Sequence, residues 1–150
     1  LQLLDLASRE IQPVGQVGAP RQADLRRGIS TAHYAVFHAL CGAMAAAFSH
    51  GDTRVGQMLH RAIDHRPARD KFEQVARRPA ADPDLRRFAN AFVQLQQLRH
   101  DADYDPGYRA SRQEAVNAVQ VARAAVSALD GADPSQRFVL LAELLARPRR

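Results

Sequence analysis

"LRRGISTAHYAVFHAL", residues Leu25 to Leu40, has one consistent reading, a helix with more than one apolar side. Steps of three and four put Ile29, Val36, Leu40 and Ala43 on one face, and Tyr34, Phe37, Cys41, Met44 and Phe48 on an adjoining stripe. An apolar arc this wide belongs to a helix packed on several sides, at the centre of a bundle. Polar residues keep step within it: Ser30, Tyr34 and His38 recur every fourth position, with His33 one step around. The pattern holds from Arg21 to about Ser49.

Outward from there the same period recurs. "LQLLDLASREI" reads as a short helix, and "QPVGQVGAP", with two Pro and two Gly, breaks it. After "SHGD" a helix is expected over Val55 to His65, with Val55, Leu59 and Ala62 or Ile63 inward and Pro67 as its limit. A short helix around Arg69 to Arg78 follows. Asp82-Pro83-Asp84 is an acidic cap with Pro in the first turn, opening a helix from Asp84 to about Ala102 whose inward residues are Phe88, Phe92, Leu95 and Leu98. Ser111 and Glu114 form a capping box for a helix to about Leu129, with Val116, Val119, Ala122 and Val126 facing in. "DGADPS" sets off a last helix to Ala146 before "RPRR". No strand alternation occurs. The expected fold is all-α, five to seven helices, four of them forming the bundle.

Composition narrows the function classes. A chain of 150 residues is expected to form one domain, and 46% hydrophobic with 25% charged residues is an ordinary soluble balance. The 21 basic residues outnumber the 16 acidic ones for a formal charge of +5, which weakly favours a polyanionic partner. All but Lys71 of the basic residues are Arg. Cys41 is the single cysteine, so an intrachain disulfide and a cysteine-based metal site are both excluded, and its apolar setting reads as core. The sequence has no secretory leader and no apolar run of about 18 residues, so a cytoplasmic protein without a membrane contact is expected.

Chemistry-bearing residues gather in "LQQLRHDADYDP", Leu95 to Pro106. Arg99 continues the aromatic stripe of Phe88, Phe92 and Leu95, and a desolvated guanidinium needs a carboxylate, carbonyls or a phosphate. Asp103, one turn on, would make Arg99 a bundle-end staple; a phosphate would make it a cleft residue. His100 falls roughly over Tyr104, and a histidine on a helix beside an arginine could act as a general acid or base. Asp101, Asp103 and Asp105 alternate, yet the central Gly and closing Glu of a calcium loop are missing, so no metal and no cofactor is expected. His38 is the histidine expected to pair with this second helix, or else to be a core histidine satisfied by a carbonyl. Arg61 and His65 share a side of the Val55 helix, a basic surface or a solvated face.

The two polar stretches together resemble the HEPN superfamily, and most of all its small bacterial and archaeal members. Ser30, Tyr34, Phe37 and His38 match a Ser-x-x-x-Tyr-x-x-x-His-like run on the family's first long helix. Arg99, Ala102, Asp103 and Tyr104 match its Arg-x-x-Ala-Asp-Tyr motif, and "SRQEAVNAVQVARAAVSAL" resembles the helix that follows. The likeness covers about residues 24–129. It implies an antiparallel four-helix bundle with additional short helices, a homodimer, and polar motifs near the dimer cleft. Many members are metal-independent ribonucleases, often toxins paired with a nucleotidyltransferase-like antitoxin. Their catalytic signature is an Arg, usually a polar residue, four to six further residues, and a His. Arg99 and His100 fit its start, but the positions where the His would fall hold Tyr104, Asp105 and Pro106.

That departure bears on the chemistry. Metal-free RNA cleavage moves a proton from the 2'-hydroxyl and stabilises a pentacoordinate phosphate. Arg99 could supply charge. A phenol, titrating near about 10, is a poor base at neutrality. His100 or His38 would have to substitute for the missing His. The leading expectation is a noncatalytic module that binds nucleic acid, a nucleotide or a partner protein. The alternatives are a toxin-type endoribonuclease using Arg99, His100, Tyr104 and His38, and a purely structural dimer. In the noncatalytic readings Ser30, Tyr34, Asp103 and Arg61 form the polar cluster.

Overall fold

In the computed structural model, which describes residues 2–12, 18, 21–63 and 65–146, the chain forms seven helices among the described residues. These are α1 (Gln2–Ile11), α2 (Gln22–Phe48), α3 (Thr53–Ala62), α4 (His65–Ala76), α5 (Pro83–Tyr104), α6 (Arg112–Gly131) and α7 (Pro134–Leu145). Their ends follow the sequence signals. The Asp52 carboxylate accepts from the Arg54 and Val55 amides, and Asp82 does the same for Asp84 and Leu85 with Pro83 in the first turn. Ser111 and Glu114 close a full capping box, and Asp133 caps α7 ahead of Pro134. Each such cap is worth about 1 kcal/mol.

The long helix of the Leu25–Leu40 stretch is the axis of the molecule: α2 packs against α1, α5 and α6, and α5 packs on α6. Ile29, Ala32, Val36, Leu40, Cys41 and Met44 are all buried along it, as the wide apolar arc requires. Gly28 lets α1 come close, because a Cβ there would lie 2.5 Å from Ile11 Cγ1. At the start of α2, Gln22 donates to the Ala110 carbonyl at 2.8 Å and accepts from its amide at 3.0 Å, tying the approach to α6 back onto α2. On the other side α4 is held on α5 by three phenylalanines. Phe72, Phe88 and Phe92 have no exposed surface, and their ring centroids lie 4.6–6.2 Å apart, a spacing that adds about 1 kcal/mol per pair beyond area burial.

The expectations around α3 and α4 are revised. The break after α3 falls at Ile63, not at Pro67, which lies in the first turn of α4, where its missing N–H leaves no hydrogen bond unmade. Accordingly α3 spans 53–62 rather than 55–65, and α4 begins four residues before Arg69 and stops at Ala76. Val55 is 37% exposed and no residue of α3 is fully buried; of the residues expected inward, Leu59 is partly buried against the core and Ile63, just beyond the helix, is buried. By length and composition alone α2 is long and apolar enough to cross a membrane, with a mean hydropathy of 1.2 over the relevant window, a test that the core helix of a bundle also passes. Here 44% of that window is buried in the protein itself. The "RPRR" tail and the side chain of His65 lie outside the described residues.

Candidate functional site

The polar line on α2 meets α5 rung by rung. Arg26 donates to the Asp105 carbonyl, the Ser30 hydroxyl donates to the Asp103 carboxylate, and Tyr34 meets Arg99. Ascending numbers on α2 against descending numbers on α5 mean that the two helices run antiparallel here. The four-residue step of Arg26, Ser30 and Tyr34 is what keeps all three on the seam.

Arg99 sits at the middle of this seam. Its Nε donates to Asp103 Oδ2 at 3.1 Å and its Nη2 donates to the Tyr34 hydroxyl at 2.9 Å. The guanidinium also lies over the Tyr34 ring, with Cζ 4.9 Å from the centroid. Only 17% of the Arg99 side chain and 30% of the Asp103 side chain are exposed. Asp103 is itself shared, one oxygen with Arg99 and the other with Ser30. The four side chains close a chain of hydrogen bonds across two helices, with the positive charge of Arg99 answered by a carboxylate in contact.

His100 and Tyr104 stand apart from this clasp. Their rings are 5.3 Å apart and tilted by 48°, on the outward side of the last turns of α5. His100 is exposed, and Tyr104 is 65% exposed. The three alternating aspartates part company as well. Asp101 accepts from Gln97 at 2.9 Å, Asp103 belongs to the clasp, and the Asp105 carboxylate takes the Gly107 amide at 2.8 Å in the following turn. Among the described residues no three His, Cys, Asp or Glu side chains converge.

His38, one turn beyond Tyr34, does not turn to α5. Its Nδ1 lies 3.2 Å from Nε2 of His60 on α3, with ring centroids 5.1 Å apart. Both rings lean at steep angles on the buried Phe37, at 6.4 and 6.3 Å. Partial burial, and then the adjacent His60, hold the His38 imidazole below its ordinary 6.5. Arg61 is exposed beside His60. The core histidine is instead His33, with no exposed surface and its ring 5.5 Å from Phe92 and 6.0 Å from Tyr34.

The structure thus brings Ser30, Tyr34, Arg99 and Asp103 together, pairs His100 with Tyr104, and sends His38 to α3. Sequence reasoning placed Tyr34 both in the apolar stripe and in the polar cluster with Ser30 and Asp103, but did not name Arg99 as its partner. It also missed Arg26, although Arg26 begins the same four-residue series. Cys41 is buried as expected, and desolvation pushes its thiol up to about 11. Compared with known proteins, the chain shows no significant match to a family model, a curated protein or a solved structure.

Proposed function

We propose that the chain is a noncatalytic module of the HEPN type, an antiparallel four-helix bundle that forms a homodimer and binds single-stranded nucleic acid, RNA foremost. The observation that carries this reading is the closure of Arg99. A guanidinium engaged by Asp103 and Tyr34 is not available to a scissile phosphate unless the clasp opens, and the incoming phosphate would then meet the Asp103 carboxylate. The family's His position holds Tyr104, whose ring faces solvent. An exposed aromatic pair on a chain of charge +5 supports binding, because a base can stack on Tyr104 while arginines meet the backbone. The exposed Phe138 and Val139 on α7 support an apolar pairing surface. A nucleotidyltransferase-like antitoxin belongs to the toxin-type ribonuclease alternative, which the closed Arg99 disfavours.

The same clasp favours one other reading, a purely structural dimer in which Arg99 and Asp103 lock the end of the bundle. Fluorescence anisotropy of a labelled single-stranded RNA separates the two. Salt-dependent binding by the wild type, weakened in Tyr104→Ala by the loss of about 1–3 kcal/mol of stacking, is the expected result. Absence of binding at low salt by the folded protein would leave the structural reading in its place.

A further inference from the structure

The geometry points to a two-histidine site for a divalent transition-metal ion, Zn2+ in the first instance, at His38 and His60 on the outer face of α2 and α3. Neither side chain belongs to the Arg99 clasp, and the inference does not depend on the nucleic-acid reading.

His38 Nδ1 and His60 Nε2 are 3.2 Å apart. Two imidazole nitrogens bound to one tetrahedral Zn2+, at Zn–N distances of roughly 2.0–2.1 Å, stand about 3.3–3.4 Å apart. The pair is therefore already close to chelating separation, and each ring needs only a turn about its own side-chain bonds to aim its lone pair at a shared point. Both residues are exposed, so the rings are free to make that turn and the remaining coordination positions are open to water.

The pair is also held in place from beneath. His38 lies on the central helix, and α3 is brought onto that helix by small residues: a Cβ on Gly56 would be 3.7 Å from Ala45 Cβ. Both imidazoles lie at steep angles to the Phe37 ring, which is 7% exposed, so the buried ring supports the pair from beneath. In the metal-free protein one ring must present an N–H and the other a bare nitrogen. A cation takes the place of that hydrogen bond once the donor ring shifts its proton to its other nitrogen, so that both rings stay neutral and each offers one lone pair. Metal affinity is accordingly lost in acid. Imidazole donors suit Zn2+, Cu2+ and Ni2+ rather than Mg2+ or Ca2+. Because α3 buries no residue of its own, a cation bridging the two helices would also pin α3 to α2.

The test is a Zn2+ titration by calorimetry of the full chain, free of any histidine tag and stripped of metal, at pH 7.5 and at pH 5. The wild type is expected to bind one Zn2+ per chain at pH 7.5, with at least tenfold weaker binding in His38→Gln, in His60→Gln and at pH 5. His50→Gln and His100→Gln should match the wild type. Nitrogen-15 shifts of the histidine rings on the unaltered protein give an independent readout, which should move at His38 Nδ1 and His60 Nε2. Binding that survives either single substitution, ring shifts confined to other histidines, or no saturable binding at pH 7.5 would overturn the proposal.

Discussion

Two polar contacts sit one helical turn apart on α2, and they are built in opposite ways. At Tyr34 the facing helix is α5, which supplies an arginine and an aspartate spaced by four, and the result is a closed, largely shielded clasp. At His38 the facing helix is α3, which supplies a single histidine, and the result is an open pair on the surface. The α2 side of both contacts has the same four-residue spacing. What differs is the partner helix and how firmly the core holds it. Seven residues of α5 are buried and none of α3. A polar contact over a packed seam is fixed and shielded; over a thin one it remains open to solvent and to ligands.

The difference in packing gives the largest expected effect. Phe92→Ala should lower the unfolding free energy by about 3–5 kcal/mol, since it empties the ring cluster shared by α4 and α5. Met58→Ala, at a residue of α3 that is 70% exposed, should change it by less than about 0.5 kcal/mol. Urea denaturation of the two variants checks both, and comparable losses would erase the contrast between the helices.

A smaller effect concerns the clasp. Arg99→Ala should destabilise by about 1–3 kcal/mol, because it leaves a partly shielded carboxylate without its cation. Asp103→Ala should cost a similar amount, and the double variant less than the sum. A double-mutant cycle that came out additive would mean that the two groups are neighbours and nothing more.

The smallest effect is the pH dependence of the open pair. The His38 pKa is depressed in the folded protein, so the unfolded chain takes up protons first as the pH falls through 6.5. Stability from this group is therefore whole above that value and declines below it until the lower folded pKa is reached. His38→Gln should flatten the part of the stability curve between pH 7 and pH 5 that this group contributes, as followed by thermal melts. An unchanged slope would place the acid sensitivity elsewhere.

How far the sequence could be read follows the same division. The α2 axis, the caps at Asp82 and Ser111 and the inward phenylalanines were legible, because helical periodicity and capping chemistry are local. So was the Arg99–Asp103 pair, which lies within one helix. The partners across the seam were not legible. Ser30 reaching Asp103 and Tyr34 reaching Arg99 depend on the register of α2 against α5, and periodicity fixes the face of a helix but not its sliding position. Tyr34 was legible as a member of the polar cluster, but because its ring also fits the apolar stripe its hydroxyl's partner was not. The boundary at Pro67 was misread because proline ends a helix in its interior but is accepted in a first turn. His38 and His60 lie 22 positions apart, and nothing in either local pattern joins them.

If Arg99 holds the bundle together rather than cutting RNA, one paired measurement shows it most directly. Purified wild type and Arg99→Ala would be incubated with a broad RNA panel in EDTA, and the unfolding free energies of the same preparations measured. Neither protein should cleave, and Arg99→Ala should be the less stable. Cleavage by the wild type that disappears in a fully folded Arg99→Ala of undiminished stability would contradict that role.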